Sequence, residues 1–134
     1  MLDFSGLNWL AILVATLLGF ALGGVWYGPL FGKAWLAALG KAEDEIQPSA
    51  TPFIVSLLTS AITATVLATL CRLLGLTGAA DGAVFGMITG IGFIAASMAS
   101  DHAFGRSGVA LWGIQAGYRV VYTMLMGAIL AAWG

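Results

Sequence analysis

The chain has 134 residues, 60% of them hydrophobic and 8% charged, with a mean hydropathy of +1.00. A soluble domain has about 45–50% apolar residues with glycine counted and about 25% charged ones, so water is excluded as the solvent. A net charge of −1 with only five Lys and Arg leaves no basic patch for a phosphate backbone, and one cysteine builds neither a disulfide nor a cysteine zinc site.

Charged residues are missing from 4–32, 46–71 and 82–100, and each gap is about the ~20 apolar residues that cross a bilayer as a helix. The expected fold is an all-α membrane protein, a four-transmembrane-helix bundle forming one domain over 1–134. The opening residues carry an acid where a secretory leader has its positive region, so the first apolar segment is expected to stay in the mature protein.

The first helix is expected over 7–27, with Trp9 at one interface and Trp26 and Tyr27 at the other. A long connection follows, with an amphipathic interfacial segment over 33–40 around Trp35, Leu36 and Leu39, then the charged run KAEDE. The second helix is expected over 52–74, opened by Pro52 and closed by Gly75. The third is expected over 80–101 and the fourth over 109–133, with short loops that make neighbours antiparallel. Lys33, Lys41 and Arg106 against Arg72 place the first and third loops in the cytoplasm and both termini outside, in the cell's inner membrane.

A shift of 73 residues aligns Gly19, Phe20, Phe31, Gly32 and Lys33 with Gly92, Phe93, Phe104, Gly105 and Arg106, as two tandem helical hairpins would. Coincidence among Gly- and Phe-rich helices is the alternative. Glycines also recur every four residues within spans: Gly19 and Gly23; Gly82, Gly86 and Gly90; Gly113 and Gly117. Such faces let helix backbones approach closely in lipid. They are expected to pack the four helices together, with a homodimer through the face of the third helix as the sharper reading. The string GIGFIA at 90–95 matches a dinucleotide fingerprint by letter, but no strand precedes it, and it is set aside.

Arg119 stands seven residues past Trp112, roughly 10 Å below the interface by helical rise. An arginine at that depth is costly and faces the bundle or a wet cavity. Gln115, Tyr118, Arg119 and Tyr122 form one helical stripe, and Ser56, Thr59, Ser60 and Thr63 form another at matching depth on the second helix. The two stripes are expected to face each other, with Asp101 as the acid within reach of Arg119. One reading is a satisfied polar core; the other is a cavity in which Arg119 holds a phosphate or lipid head group. His102 is the sole histidine, so no metal site and no nucleophile–base pair is expected, and neither a cofactor nor catalysis.

Three strings carry a family likeness: residues 8–35, ASDHAFGR at 99–106 and AGYRVVYTMLMGAILAAW at 116–133. The most specific element comprises Trp26, Tyr27, Pro29, Phe31, Gly32, Lys33 and Trp35, and the second string contributes His102, Phe104, Gly105 and Arg106. The chain thereby resembles the domain of unknown function 1761 family, small bacterial four-span membrane proteins. The resemblance implies a four-helix membrane domain and brings no substrate, reaction or catalytic residue.

The functional expectation is a non-enzymatic membrane protein in contact with the lipid bilayer and a homo-oligomer or larger membrane complex. It acts either as a packing or accessory subunit or as a binder of an anionic or lipid-like molecule near Arg119. A minimal homo-oligomeric transporter or channel is the alternative.

Overall fold

A computed structural model describes residues 4–42 and 49–133, so the acids Glu43, Asp44 and Glu45 of the charged run lie outside the described residues. Helix α1 covers Trp9–Val25 and passes into a π-helical turn over Trp26–Leu30. Then come α2 (Gly32–Leu39), α3 (Thr51–Leu74) and α4 (Ala79–Thr89). A second π-helical stretch over Gly90–Ala95 joins α4 to α5 (Ala96–Gly105), and α6 covers Val109–Trp133. Four helical runs are long and apolar enough to cross a membrane: Trp9–Leu30, Thr51–Leu74, Ala79–Gly105 and Val109–Trp133.

Local chemistry sets the ends. The Asn8 side chain accepts the Ala11 N–H at 3.1 Å and so caps α1, whereas α3 has Pro in its first turn, where no intrahelical N–H is needed. Gly40 and Gly75 close α2 and α3 in the left-handed conformation, with φ of 72° and 69°. The third run continues a turn beyond the expected 101, because Asp101 and His102 are polar without being helix breakers; it stops at Gly105, with Arg106 at φ 55°.

The four spans do not contribute equally. Helices α1, α3 and α6 pack against one another pairwise, while α4 packs chiefly on α6 and stands outside that group of three. The core of the three joins Ala11, Ile12 and Ala15 of α1 and Ala64 and Leu67 of α3 to Tyr118, Tyr122, Met126 and Leu130 of α6. The α6 apolar window is 44% buried, against 22–28% for the other three spans. Elsewhere large apolar side chains such as Leu13, Ile62, Ile88 and Phe93 point outward, as a lipid solvent allows.

The third span is fastened to α6 by its glycine face. Gly82, Gly86 and Gly90 are buried, and a Cβ at Gly82 or Gly86 would run into the backbone carbonyls of Gly127 or Thr123. The reverse holds too, since a Cβ at Gly127 would meet the Gly82 carbonyl. Thr123 Oγ1 donates to the Gly86 carbonyl at 2.7 Å across this contact. Apolar side chains gain little by leaving apolar lipid tails, so close backbone approach supplies the attraction. The face is thus occupied within the chain and is not free to pair with a second copy, which corrects the homodimer expectation for it. The other glycines differ: Gly19 lies against Met126 and Tyr122, Gly23 against the Tyr118 hydroxyl and Gly117 against Trp26, whereas Gly113 has open space around it and packs on nothing.

Gly86→Val should force α4 and α6 apart, at about 1–3 kcal/mol for overpacking and about 0.6 kcal/mol for the hydrogen bond weakened with it. Unfolding of the purified protein in mixed micelles measures the loss. Gly113→Ala, placed in open space, should stay within about 0.5 kcal/mol of the parent.

Candidate functional site

Pro29 has no N–H to donate and cannot sit in a regular helix interior. Around it α1 widens into the π turn, whose closing bond runs from the Phe31 N–H to the Trp26 carbonyl at 2.8 Å, five residues back. Phe31 then leaves the helical region at φ −121° and ψ 10°, and α2 starts at Gly32 in a new direction. A Cβ on residue 32 would lie 2.8 Å from the Tyr27 carbonyl oxygen, so only glycine permits this reversal without a backbone shift.

The reversal gathers aromatic rings on α6. Trp26 stacks on Phe31 with centroids 4.6 Å apart, and its indole N–H donates to the Ile114 carbonyl at 2.9 Å. Tyr27 meets Trp35 edge-on at 5.2 Å and Tyr118 edge-on at 5.6 Å. Tyr118 in turn packs against Tyr122 at 5.4 Å, and its buried hydroxyl donates to the Gly19 carbonyl at 2.9 Å. The string of Trp26, Tyr27, Phe31 and Trp35 thus forms one aromatic cluster with the tyrosines of α6; Lys33 is exposed at its edge.

Arg119 is half-buried beside this cluster. Its guanidinium carbon is 5.0 Å from the Tyr118 ring centre and 5.1 Å from that of Tyr122. Among the described residues no acid pairs with it, and no carbonyl or hydroxyl accepts its N–H groups. The exposed Asp101 makes no ion pair with Arg119, which corrects the expectation of a direct partnership. A cation over an aromatic face gains about 0.5–2 kcal/mol. Placing an arginine at the centre of a membrane helix costs about 2.5–3.5 kcal/mol even on the mildest scale, so the two rings at best offset the charge and leave the five donors unused.

The two polar stripes do not bond across the interface. Thr59 Oγ1 donates to the Ser56 carbonyl of its own helix at 3.0 Å, and Thr63 is half-buried. Ser60 and Tyr122 are buried at 0% and 1% exposure, and neither hydroxyl has a hydrogen-bond partner among the described residues. Gln115 bonds toward α5 and not across to α3: its Oε1 lies 2.9 Å from His102 Nε2, while His102 Nδ1 lies 2.8 Å from the Met98 carbonyl.

These meetings of motif and stripe do not show in residue spacing. The aromatic string and Arg119 are far apart in sequence and meet through Trp26 and Tyr27 of the π turn, which pack on Tyr118. The signal available was Pro29 followed by Gly32, a break and a tight approach within one turn. The two Phe-Gly-basic strings, which align under the 73-residue shift, are built differently: Phe31 and Gly32 open a helix, whereas Phe104 and Gly105 end one, with Phe104 and Arg106 exposed.

Gly32→Ala should push α2 off the cluster and raise tryptic cleavage at Lys33 several-fold in nanodiscs. Gly28→Ala, where a Cβ meets nothing within 4 Å, should leave the cleavage rate unchanged.

No curated protein and no solved structure gives a match to the chain. A family model matches residues 10–131, from the second residue of α1 to near the end of α6, and so takes in the aromatic string, the glycine face and Arg119 together. The chain belongs to that family, described as a protein of unknown function (DUF1761).

Proposed function

We propose that this protein binds an anionic amphiphile within the bilayer, with Arg119 as the anchoring charge and the rings of Tyr118 and Tyr122 as its platform. The observation that carries the reading is a guanidinium at membrane depth whose donors find no acceptor among the described residues. A phosphate or carboxylate head group meets two of those donors at once, and this charge-assisted fork is worth more than neutral hydrogen bonds. Side chains on a helix lean toward its N-terminus, which tilts Arg119 toward the Trp112 end of α6 and the nearer head groups. The excess of Lys and Arg in the loops on that side supports a position in the cytoplasmic leaflet of the inner membrane. The rings of Tyr118 and Tyr122 beside the guanidinium offer a platform for the apolar part of such a ligand.

The test is lipid retention by the purified protein in native mass spectrometry, with phosphatidylglycerol against phosphatidylcholine. The parent should keep phosphatidylglycerol preferentially. Arg119→Leu should lose that preference, and Arg119→Lys, which keeps the charge without the fork, should fall between them. Equal retention in parent and Arg119→Leu overturns the reading. So does a parent without preference, combined with loss of folded protein in both variants, since Arg119 is then a packing residue.

A further inference from the structure

The opposite end of the bundle holds a cavity of about 380 Å³, within the size range of sites for small ligands. It lies between the start of α1, the end of α3 and the last turns of α6. Leu130, in its wall, is eleven residues beyond Arg119, roughly 16 Å further along the α6 axis. Ala11 and Leu130 make its floor apolar, while Asn8, Thr77, Cys71 and Arg72 supply polar groups.

Among the described residues Arg72 is the only cation in the lining. Its guanidinium lies directly against the backbone at Gly6, where any Cβ would occupy the same space. Arg72 is exposed, so a Cβ at residue 6 would displace the flexible end of its side chain. The turn after α3 does not need this side chain, because the Gly75 N–H donates to the Arg72 carbonyl at 3.1 Å and the Leu76 N–H to the Cys71 carbonyl at 2.9 Å. Asn8 is also held in place, by accepting from the Ala11 N–H and by donating to the Trp133 carbonyl at 3.4 Å. Among the described residues nothing accepts a hydrogen bond from the Arg72 guanidinium. A cation, a fixed amide and an apolar floor form a receptor for a compact anion carrying a short apolar portion.

We infer that this cavity is a second binding site, for a phosphate or carboxylate group held by Arg72 at the end of the bundle away from Arg119. It stands on its own geometry and does not depend on the Arg119 reading. The shared chemistry is a monoanionic or dianionic oxygen group, which either a lipid head group or a soluble anion supplies.

Cys71 lines the same cavity and is the chain's one cysteine, so its modification reports occupancy at a single position. The experiment follows the rate at which methyl methanethiosulfonate modifies Cys71 in the full chain in nanodiscs. One arm adds inorganic phosphate to phosphatidylcholine discs; the other replaces part of the phosphatidylcholine with phosphatidylglycerol. An occupied cavity shields the thiol by the factor by which occupied exceeds empty protein, roughly tenfold when the anion exceeds its Kd by ten. Protection by phosphate identifies a soluble anion, and protection by phosphatidylglycerol alone identifies a head group; either result supports the site.

Arg72→Gln should abolish the protection while leaving the unprotected rate unchanged. Gly6→Ala should do the same by displacing the guanidinium without removing its charge, and it decides the matter if Arg72→Gln does not fold. Arg119→Leu should leave the protection in place, so the two sites can fail separately. Absence of protection by both probes, or protection that persists in Arg72→Gln and Gly6→Ala, overturns the proposal.

Discussion

Cohesion in this protein depends on a single helix. Every described side-chain hydrogen bond that joins one span to another begins or ends on α6: Tyr118 to Gly19, Thr123 to Gly86, Trp112 to Ala95, Trp26 to Ile114, Asn8 to Trp133 and the His102–Gln115 pair. In water such a hub would be unnecessary, because hydrophobic burial would join all apolar faces without preference. In lipid that driving force is nearly absent between helices, and attraction must come from backbones that touch and polar groups that find partners. Both devices are concentrated on α6, with Gly127 and Thr123 on one side and Tyr118 and Tyr122 on another.

The sequence made the spans legible because the membrane imposes them by length and charge alone. Residues 109–133 and the expected start of the second helix match within one residue, since Pro52, Gly75 and Gly108 mark those boundaries without tertiary help. What was not legible is which span meets which. The equal spacing of Gly82, Gly86 and Gly90 and of Gly113 and Gly117 looks the same on paper, yet the first set meets the α6 backbone while Gly113 meets nothing. Periodicity specifies a face but not its neighbour. Likewise the polarity of Thr59 is absorbed by its own helix, a local choice open to any Ser or Thr in an apolar segment.

Both π-helical stretches lie where the chain makes an interhelical bond through an indole. The first opens at Trp26, which reaches the Ile114 carbonyl; the second ends at Ala95, whose carbonyl receives the Trp112 N–H at 2.9 Å. A π turn shifts the register of the backbone ladder and rotates the residues beyond it. At residues 26–30 that rotation, together with Pro29, sets Tyr27 against Tyr118, and Trp35 packs on Tyr27. The family string therefore reads as a folding instruction for the aromatic cluster, and Arg119 lies against two of its rings.

The hub is also the fourth of the four spans in chain order, which bears on how the protein is made. Helices α1 and α3 precede it in the chain and pack on each other through apolar and small residues, with no side-chain hydrogen bond between them among the described residues. The third span then emerges with its glycine face unmatched, because its partner has not yet been synthesised. Only when residues 109–133 arrive do the tyrosine, threonine and tryptophan bonds close together. Assembly is therefore concentrated at the last helix to emerge, and a chain interrupted before it leaves three spans in the bilayer with no common attachment.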